Sequence, residues 1–247
     1  MVSDMIVETK YRSMAKAITW RIIATLTTVA LVYWFTGKLE LAATVGGLEV
    51  VLKLLFNFLH ERAWLMIRFG RKKVDPFVLW FTGRPLSGKT TIADLVHQEL
   101  SKREMEVSRL SGQGVRELFP EVGFTRQERI AHLKRVSHVV RMLEKNNVSV
   151  VASFISPYKE ARQEVKDMVK DNYIEIYVKA SVEACKKRDK TGMYERAERG
   201  EIKNFTGISD VYEEPESPAL ILDTEAHSFQ ECRDQVLQYV DRHLLKR

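Results

Sequence analysis

The segment Gly83-Arg-Pro-Leu-Ser-Gly88-Lys89-Thr90 constrains this chain more than any other. It is a G-x-x-x-x-G-K-[ST] loop, preceded by the apolar, β-forming run 77–82 and followed by a helical pattern over 92–102. That strand–loop–helix context is what gives the motif meaning. Glycines let the backbone curl so that amide N–H groups converge on a phosphate, and the helix N-terminus adds its dipole. A nucleotide site is therefore expected at Gly83, Arg84, Pro85, Leu86, Ser87, Gly88, Lys89 and Thr90. In such loops the lysine reaches the β- and γ-phosphates and the hydroxyl residue ligates Mg²⁺. ATP and Mg²⁺ are thus the expected cofactors, with Lys89 the catalytic cation and Thr90 the metal ligand. Pro85 lacks an N–H and removes one donor from the cradle.

Downstream, short β-rich runs at 107–110, 148–154, 173–178 and 220–222 alternate with helical patterns at 125–145, 158–170, 181–188 and 228–245. Such alternation predicts an α/β fold: a parallel sheet with helices on both faces and its ligand site at the strands' carboxyl ends. Between 189 and 212 the periodicity weakens and charge density rises, which marks a candidate lid. The two cysteines, Cys185 and Cys232, form no C-x-x-C, so neither a disulfide framework nor a zinc site is suggested.

The first 74 residues read differently. Two apolar runs, 18–35 and 39–59, each approach the length that crosses a bilayer core, and Thr36-Gly37-Lys38 reads as the turn between them. Glu49 and Lys53 are spaced to pair on one helical face, and Arg21 is placed to snorkel. Trp20, Trp34 and Trp64 stand near the run ends, where interfacial aromatics concentrate. The formal net charge of +6 gathers partly at the flanks, in Lys10, Arg12 and Lys16 and in Arg68, Arg71, Lys72 and Lys73. This asymmetry predicts a two-pass hairpin with both termini cytoplasmic; the alternative is a soluble helical hairpin. Basic charge of this kind, without interleaved aromatics, does not suggest a nucleic-acid partner. Polar residues on the helix faces suggest a homo-oligomer. The expected organisation is an all-α two-helix transmembrane hairpin over 1–74 and a P-loop kinase domain over 75–247, joined at Asp75-Pro76.

Two resemblances add to this. Lys16-Ala-Ile-Thr-Trp-Arg21, the Glu49/Lys53 pair and His60-Glu-Arg-Ala-Trp64 resemble a small bacterial two-helix membrane domain of unknown function. Phe154-Ile-Ser-Pro-Tyr158, Arg188-Asp-Lys-Thr-Gly-Met-Tyr194, Arg199-Gly-Glu-Ile-Lys-Asn-Phe-Thr-Gly-Ile208, Val211-Tyr-Glu-Glu-Pro215 and Leu222-Asp-Thr224 resemble, with the phosphate loop, adenylylsulfate kinases. That resemblance implies transfer of the γ-phosphoryl group of MgATP to the ribose 3′-hydroxyl of adenylylsulfate; with the two-helix hairpin before it, the reaction is expected at the cytoplasmic face of a membrane. It implies that Phe124 and Phe205 sandwich the substrate adenine and that Arg116 and Arg129 hold the phosphosulfate. Lys203, Thr206 and Ile208 fall on lid contacts to substrate, His132 stands where the family has a substrate-contacting asparagine, and Ser156 matches a serine proposed as a phosphorylated intermediate or substrate contact.

The chain departs from the family at one place. Where adenylylsulfate kinases carry Asp-Gly-Asp-Asn, this sequence reads Ser111-Gly112-Gln113-Gly114. An aspartate there helps bind Mg²⁺ and can accept the ribose proton; an amide cannot. Three functional readings follow: an adenylylsulfate kinase with a rearranged site, a related kinase with another hydroxylated acceptor, or an inactive membrane sensor of ATP or a sulfonucleotide.

Overall fold

A computed structural model describes residues 6–8, 10–35, 41–67, 71–73, 75–118 and 122–245. The chain divides into two compact units, one over Ile6–Lys73 and one carrying Val74–Arg247.

In the first unit, α1 (Lys10–Phe35) and α2 (Leu41–Met66) each run 26 residues and pack against each other. The expected turn at 36–38 and the side chains of Arg21 and Glu49 lie outside the described residues. Polar contacts fix the two helices antiparallel. The buried Arg12 guanidinium donates to Trp64 O and, at 2.8 Å, to Ile67 O, and lies 4.9 Å from the Trp64 ring centre. A cation here satisfies carbonyls that the end of α2 leaves without intrahelical partners. Two turns further along α1, Thr19 Oγ lies 3.0 Å from His60 Nε2, to which the Trp64 indole N–H donates at 2.9 Å. Two short strands, β1 (Ile6–Glu8) and β2 (Arg71–Lys73), pair antiparallel and close the base of the hairpin; the sequence patterns gave no sign of them. At 1.5 Å per residue each helix is about 39 Å long, more than a hydrocarbon core. Among the described residues, however, no helix is both long and apolar enough to cross a membrane.

The second unit is built on a five-stranded parallel sheet in the order β4 (Val107–Ser111), β5 (Ser149–Ser153), β3 (Val78–Thr82), β6 (Tyr173–Lys179), β7 (Leu220–Asp223). The central strand β3 is buried throughout, as a parallel strand covered on both faces must be. Its side chains alternate. Leu79 and Phe81 join Ile92, Val96 and Leu100 of α3 (Lys89–Lys102) and Val236 and Val240 of α9 (Phe229–His243). Val78 and Trp80 join Leu133, Val136 and Val140 of α5 (Arg126–Lys145) and Ala161, Val165 and Val169 of α6 (Lys159–Val169). Thr125 with Glu128 and Ser228 with Glu231 form reciprocal capping boxes that start α5 and α9. Three short helices complete the unit: α4 (Gly112–Leu118), α7 (Val182–Arg188) and α8 (Met193–Glu198). The sequence reading missed α4, whose two glycines and seven residues give little periodicity, and α8, inside the expected lid.

Candidate active site

The phosphate loop lies between β3 and α3, at the carboxyl end of the sheet. Gly83 has φ 156°, and a Cβ there would stand 2.4 Å from the Val178 carbonyl oxygen. Gly88 has φ 100°, and its Cβ would meet the Phe229 ring at 2.6 Å. Both positions therefore require glycine. The Lys89 side chain is buried, and its Nζ donates to Arg84 O at 2.5 Å and to Ser87 Oγ at 3.4 Å. Burial pulls its pKa down to about 7.

Three side chains buttress the loop from behind. Arg188 donates to Thr224 Oγ1 at 2.9 Å and Thr224 O at 2.7 Å, and Thr224 Oγ1 donates to Ser87 O at 3.1 Å. Tyr194 donates its hydroxyl to Pro85 O at 2.8 Å. Sequence reasoning quoted these residues as motif members without giving them a role; only the fold brings them under the loop.

A cleft of about 670 Å³ opens beside the loop. Of the residues expected at the site, Pro85, Leu86, Lys89, Thr90, Arg116, Phe124, Arg129, His132 and Ser156 line it. Phe124 is 53% exposed, with the Arg116 guanidinium 4.1 Å and the Arg129 guanidinium 5.4 Å from its ring centre. Arg116 donates to Val122 O at 2.9 Å, while the buried Arg129 donates to Phe124 O at 2.9 Å and to Asn204 O at 2.7 Å. Burial lowers the pKa of both arginines, and Arg129 lowers that of Arg116 further. Two desolvated cations beside an exposed aromatic face suit a ligand that is both flat and anionic. His132 is buried, and its pKa is pushed below the usual value by burial, then by Arg116 and Arg135.

Ser156 has φ 39°, a strained conformation for serine. Its buried hydroxyl donates to Thr82 Oγ1 at 2.8 Å and accepts from the Trp80 indole at 3.2 Å, so it is held in an internal network. It does not cap α6, whose N-cap is Tyr158.

The lid-segment residues lie elsewhere. Phe205 is buried edge-on against Tyr194, ring centres 4.9 Å apart, within a cluster with Ala180, Cys185 and Ala197, and does not line the cleft. Lys203 is exposed and Thr206 buried; Ile208 packs on the Phe205 cluster. The structure thus places Phe124 at the cleft and Phe205 in a core, because the Tyr194 ring offers Phe205 an apolar neighbour.

Ser111 Oγ accepts from Gly114 N–H at 3.1 Å and so starts α4. Gln113 lines the cleft, and so does Glu117, one helical turn later. Glu117 is the one carboxylate among the described residues that line it, and sequence reasoning missed it; its i+4 spacing from Gln113 was the available signal.

Residues 75–223 match the family model described as adenylylsulphate kinase. The chain belongs to the adenylylsulphate kinase family. It is an enzyme, a kinase. It is 48% identical over 157 residues to a probable adenylyl-sulfate kinase of Aeropyrum pernix, covering 62% of this chain and 86% of that one. An adenylyl-sulfate kinase of Thermodesulfovibrio yellowstonii is 45% identical over 166 residues, with 66% and 83% covered. Among solved structures, the APS kinase of Mycobacterium tuberculosis in complex with AMPPNP and APS is 31% identical, with a TM-score of 0.65 over 68% of this chain and 99% of that one. Residues 14–65 match a second family model, described as a predicted membrane protein.

Proposed function

We propose that this kinase transfers the γ-phosphoryl group of ATP to the 3′-hydroxyl of adenylylsulfate at a membrane surface. One observation carries the reading: a single cleft joins Lys89 and Thr90 of the phosphate loop to Phe124 and its two flanking arginines. Relatives that act on or bind adenylylsulfate support the choice of acceptor.

The loop amides and Lys89 orient the β- and γ-phosphates, and Arg116 and Arg129 hold the acceptor's phosphosulfate while Phe124 stacks on its purine. Thr90, exposed in the first turn of α3 and lining the cleft, fits Mg²⁺, which needs few protein ligands when phosphates and waters supply the rest. Mg²⁺ held there would neutralise charge on the phosphates. Ser156 shapes the cleft wall through its hydrogen bonds to Trp80 and Thr82. A Phe124–Phe205 sandwich requires the lid segment to release Phe205 from Tyr194, with Lys203, Thr206 and Ile208 moving along.

For the membrane, the match to a membrane-protein family and the exposed apolar stripe of Met14, Ile18 and Ile22 on α1, with Leu55, Phe58 and Leu59 on α2, support residence of the hairpin in lipid. A homo-oligomer belongs to the same reading; a hexameric APS kinase of Thiobacillus denitrificans, 26% identical with a TM-score of 0.52, is one support.

The test is direct. Detergent-solubilised protein is incubated with MgATP, with and without adenylylsulfate, while ADP and the 3′-phosphorylated product are followed together. Product that disappears in Lys89→Ala supports the reading. A second reading, a different hydroxylated nucleotide as acceptor, is favoured by Ser111 and Gln113; it predicts turnover only when that other acceptor is supplied.

A further inference from the structure

Transfer to a hydroxyl forms a bond between the acceptor oxygen and the γ-phosphorus and breaks the bond from that phosphorus to the β,γ-bridging oxygen, which keeps the electron pair and leaves with ADP. The hydroxyl proton must go to a base. Ser111 is bound to the Gly114 N–H, and Gln113 is an amide. Arg116 and Arg129 are permanent cations, and Lys89 is a cation once it neutralises phosphate. Among the described residues lining the cleft, Glu117 and His132 are the remaining side chains that can accept a proton; both ring nitrogens of His132 are buried, so binding of the acceptor must uncover one of them.

These two differ in setting. Glu117 is exposed, whereas His132 is 3% exposed. His132 also lies one turn beyond Arg129 on the inward face of α5, beside the guanidinium that would fix the acceptor's anion. We infer that His132 takes the proton of the acceptor hydroxyl, an assignment that rests on the adenylylsulfate reading. The base then sits on α5 rather than on α4, where Gln113 stands. The charged groups that act on this imidazole are Arg116 from α4 and Arg135 from α5; Glu117, Lys89 and Arg129 line the same cleft. Burial, with the positive field of Arg116 and Arg135, favours the neutral ring; the anionic substrates offset that field when the imidazolium forms.

The sign of the pH effect follows. A base whose pKa lies below the ordinary histidine value is unprotonated throughout the neutral range, so kcat/KM climbs on a limb below about pH 6.5 and then levels. The experiment measures kcat and KM with MgATP and adenylylsulfate from about pH 5 to 9 for the solubilised protein and for His132→Asn, His132→Gln and Glu117→Gln. Both His132 variants are expected to lose about 10²–10⁴-fold in kcat and the acidic limb, with KM for ATP kept within about threefold. Adding Gln113→Asp to His132→Asn is expected to recover about tenfold or more, because position 113 then carries a carboxylate that can take the proton. Glu117→Gln is expected to keep the limb. His132 variants that keep both rate and limb, or a limb that vanishes in Glu117→Gln, refute the assignment while leaving the substrate reading intact. A wild-type enzyme that phosphorylates no adenylylsulfate at any pH overturns the substrate reading and this inference with it. ATP binding by each variant shows that a lost rate is not a lost fold.

Discussion

Arg162→Met is expected to destabilise the kinase unit by about 3–5 kcal/mol, the cost of leaving a buried charge without its partner. Arg162 projects from the first turns of α6 and is 4% exposed. It donates to Ser156 O at 2.8 Å and Glu213 O at 2.8 Å and pairs with Glu175 at 2.9 Å. Methionine fills the volume but donates nothing, so a carboxylate and two carbonyls lose a charged donor together. For a unit of this size, each kcal/mol moves the melting temperature by about 2–4 °C, which gives a drop of roughly 6–20 °C. The pH dependence identifies the cause. Burial, its largest cause, raises the Glu175 pKa, and Arg162 is the leading influence that opposes this. Without the arginine the folded-state value rises further. A carboxyl raised in the folded state contributes stability that is full below its unfolded value, about 4.3–4.5, and is lost as pH rises to the folded value. The deficit of Arg162→Met is therefore smaller at pH 5 than at pH 8. Thermal unfolding of the wild type, Arg162→Met, Glu175→Gln and the double variant, at both pH values, checks this. The double variant should be less destabilised than Arg162→Met alone at pH 8. A deficit under about 1 kcal/mol, or one equal at both pH values, would refute the claim that an unpaired carboxylate dominates.

Lys89, with a pKa of about 7, is mostly neutral at pH 8, so ATP binding there should take up close to one proton; calorimetry in buffers of different ionisation enthalpy reads this directly, and no buffer dependence contradicts it. Phe124→Ala removes a 53%-exposed ring, so stability should move by no more than about 0.5 kcal/mol. Loss of about 1–3 kcal/mol of base stacking should raise KM for adenylylsulfate about 5–150-fold, with KM for ATP steady. Gly83→Ala places a Cβ 2.4 Å from a backbone carbonyl of β6, a contact that cannot relax by side-chain rotation. It should abolish detectable ATP binding by fluorescence titration and lower the melting temperature.

The parallel sheet was legible because β3 needs two covered faces, and a continuous run such as Phe77 to Thr82 states that requirement in the sequence. The phosphate loop was legible because Gly83 and Gly88 answer a local backbone demand. What could not be read depends on contacts between distant segments. Arg188 and Thr224 meet under Ser87 only because β6 and β7 lie side by side. Arg12 reaches the end of α2 only because the hairpin folds back. Phe205 matched a substrate-stacking position by motif, yet the same ring fits an apolar cluster around Tyr194, and the motif has no term for that competition.

The cleft itself explains why residue types alone under-determine its chemistry. Lys89, Arg116 and Arg129 are all drawn out of water, and burial lowers the proton affinity of each. Desolvated cations weaken the fold unless an anion arrives, so the site holds part of its ligand-binding energy as instability of the unliganded state. The same positive field acts on every base nearby. It adds to burial in lowering the pKa of His132, and it would favour the ionised form of any carboxylate at position 113. On the His132 assignment, having a histidine on α5 in place of an acid on α4 would do more than relocate a base. It would leave the cleft without a negative charge at position 113 and so more positive, which would strengthen anion binding and make proton acceptance depend more on the substrates' own charge.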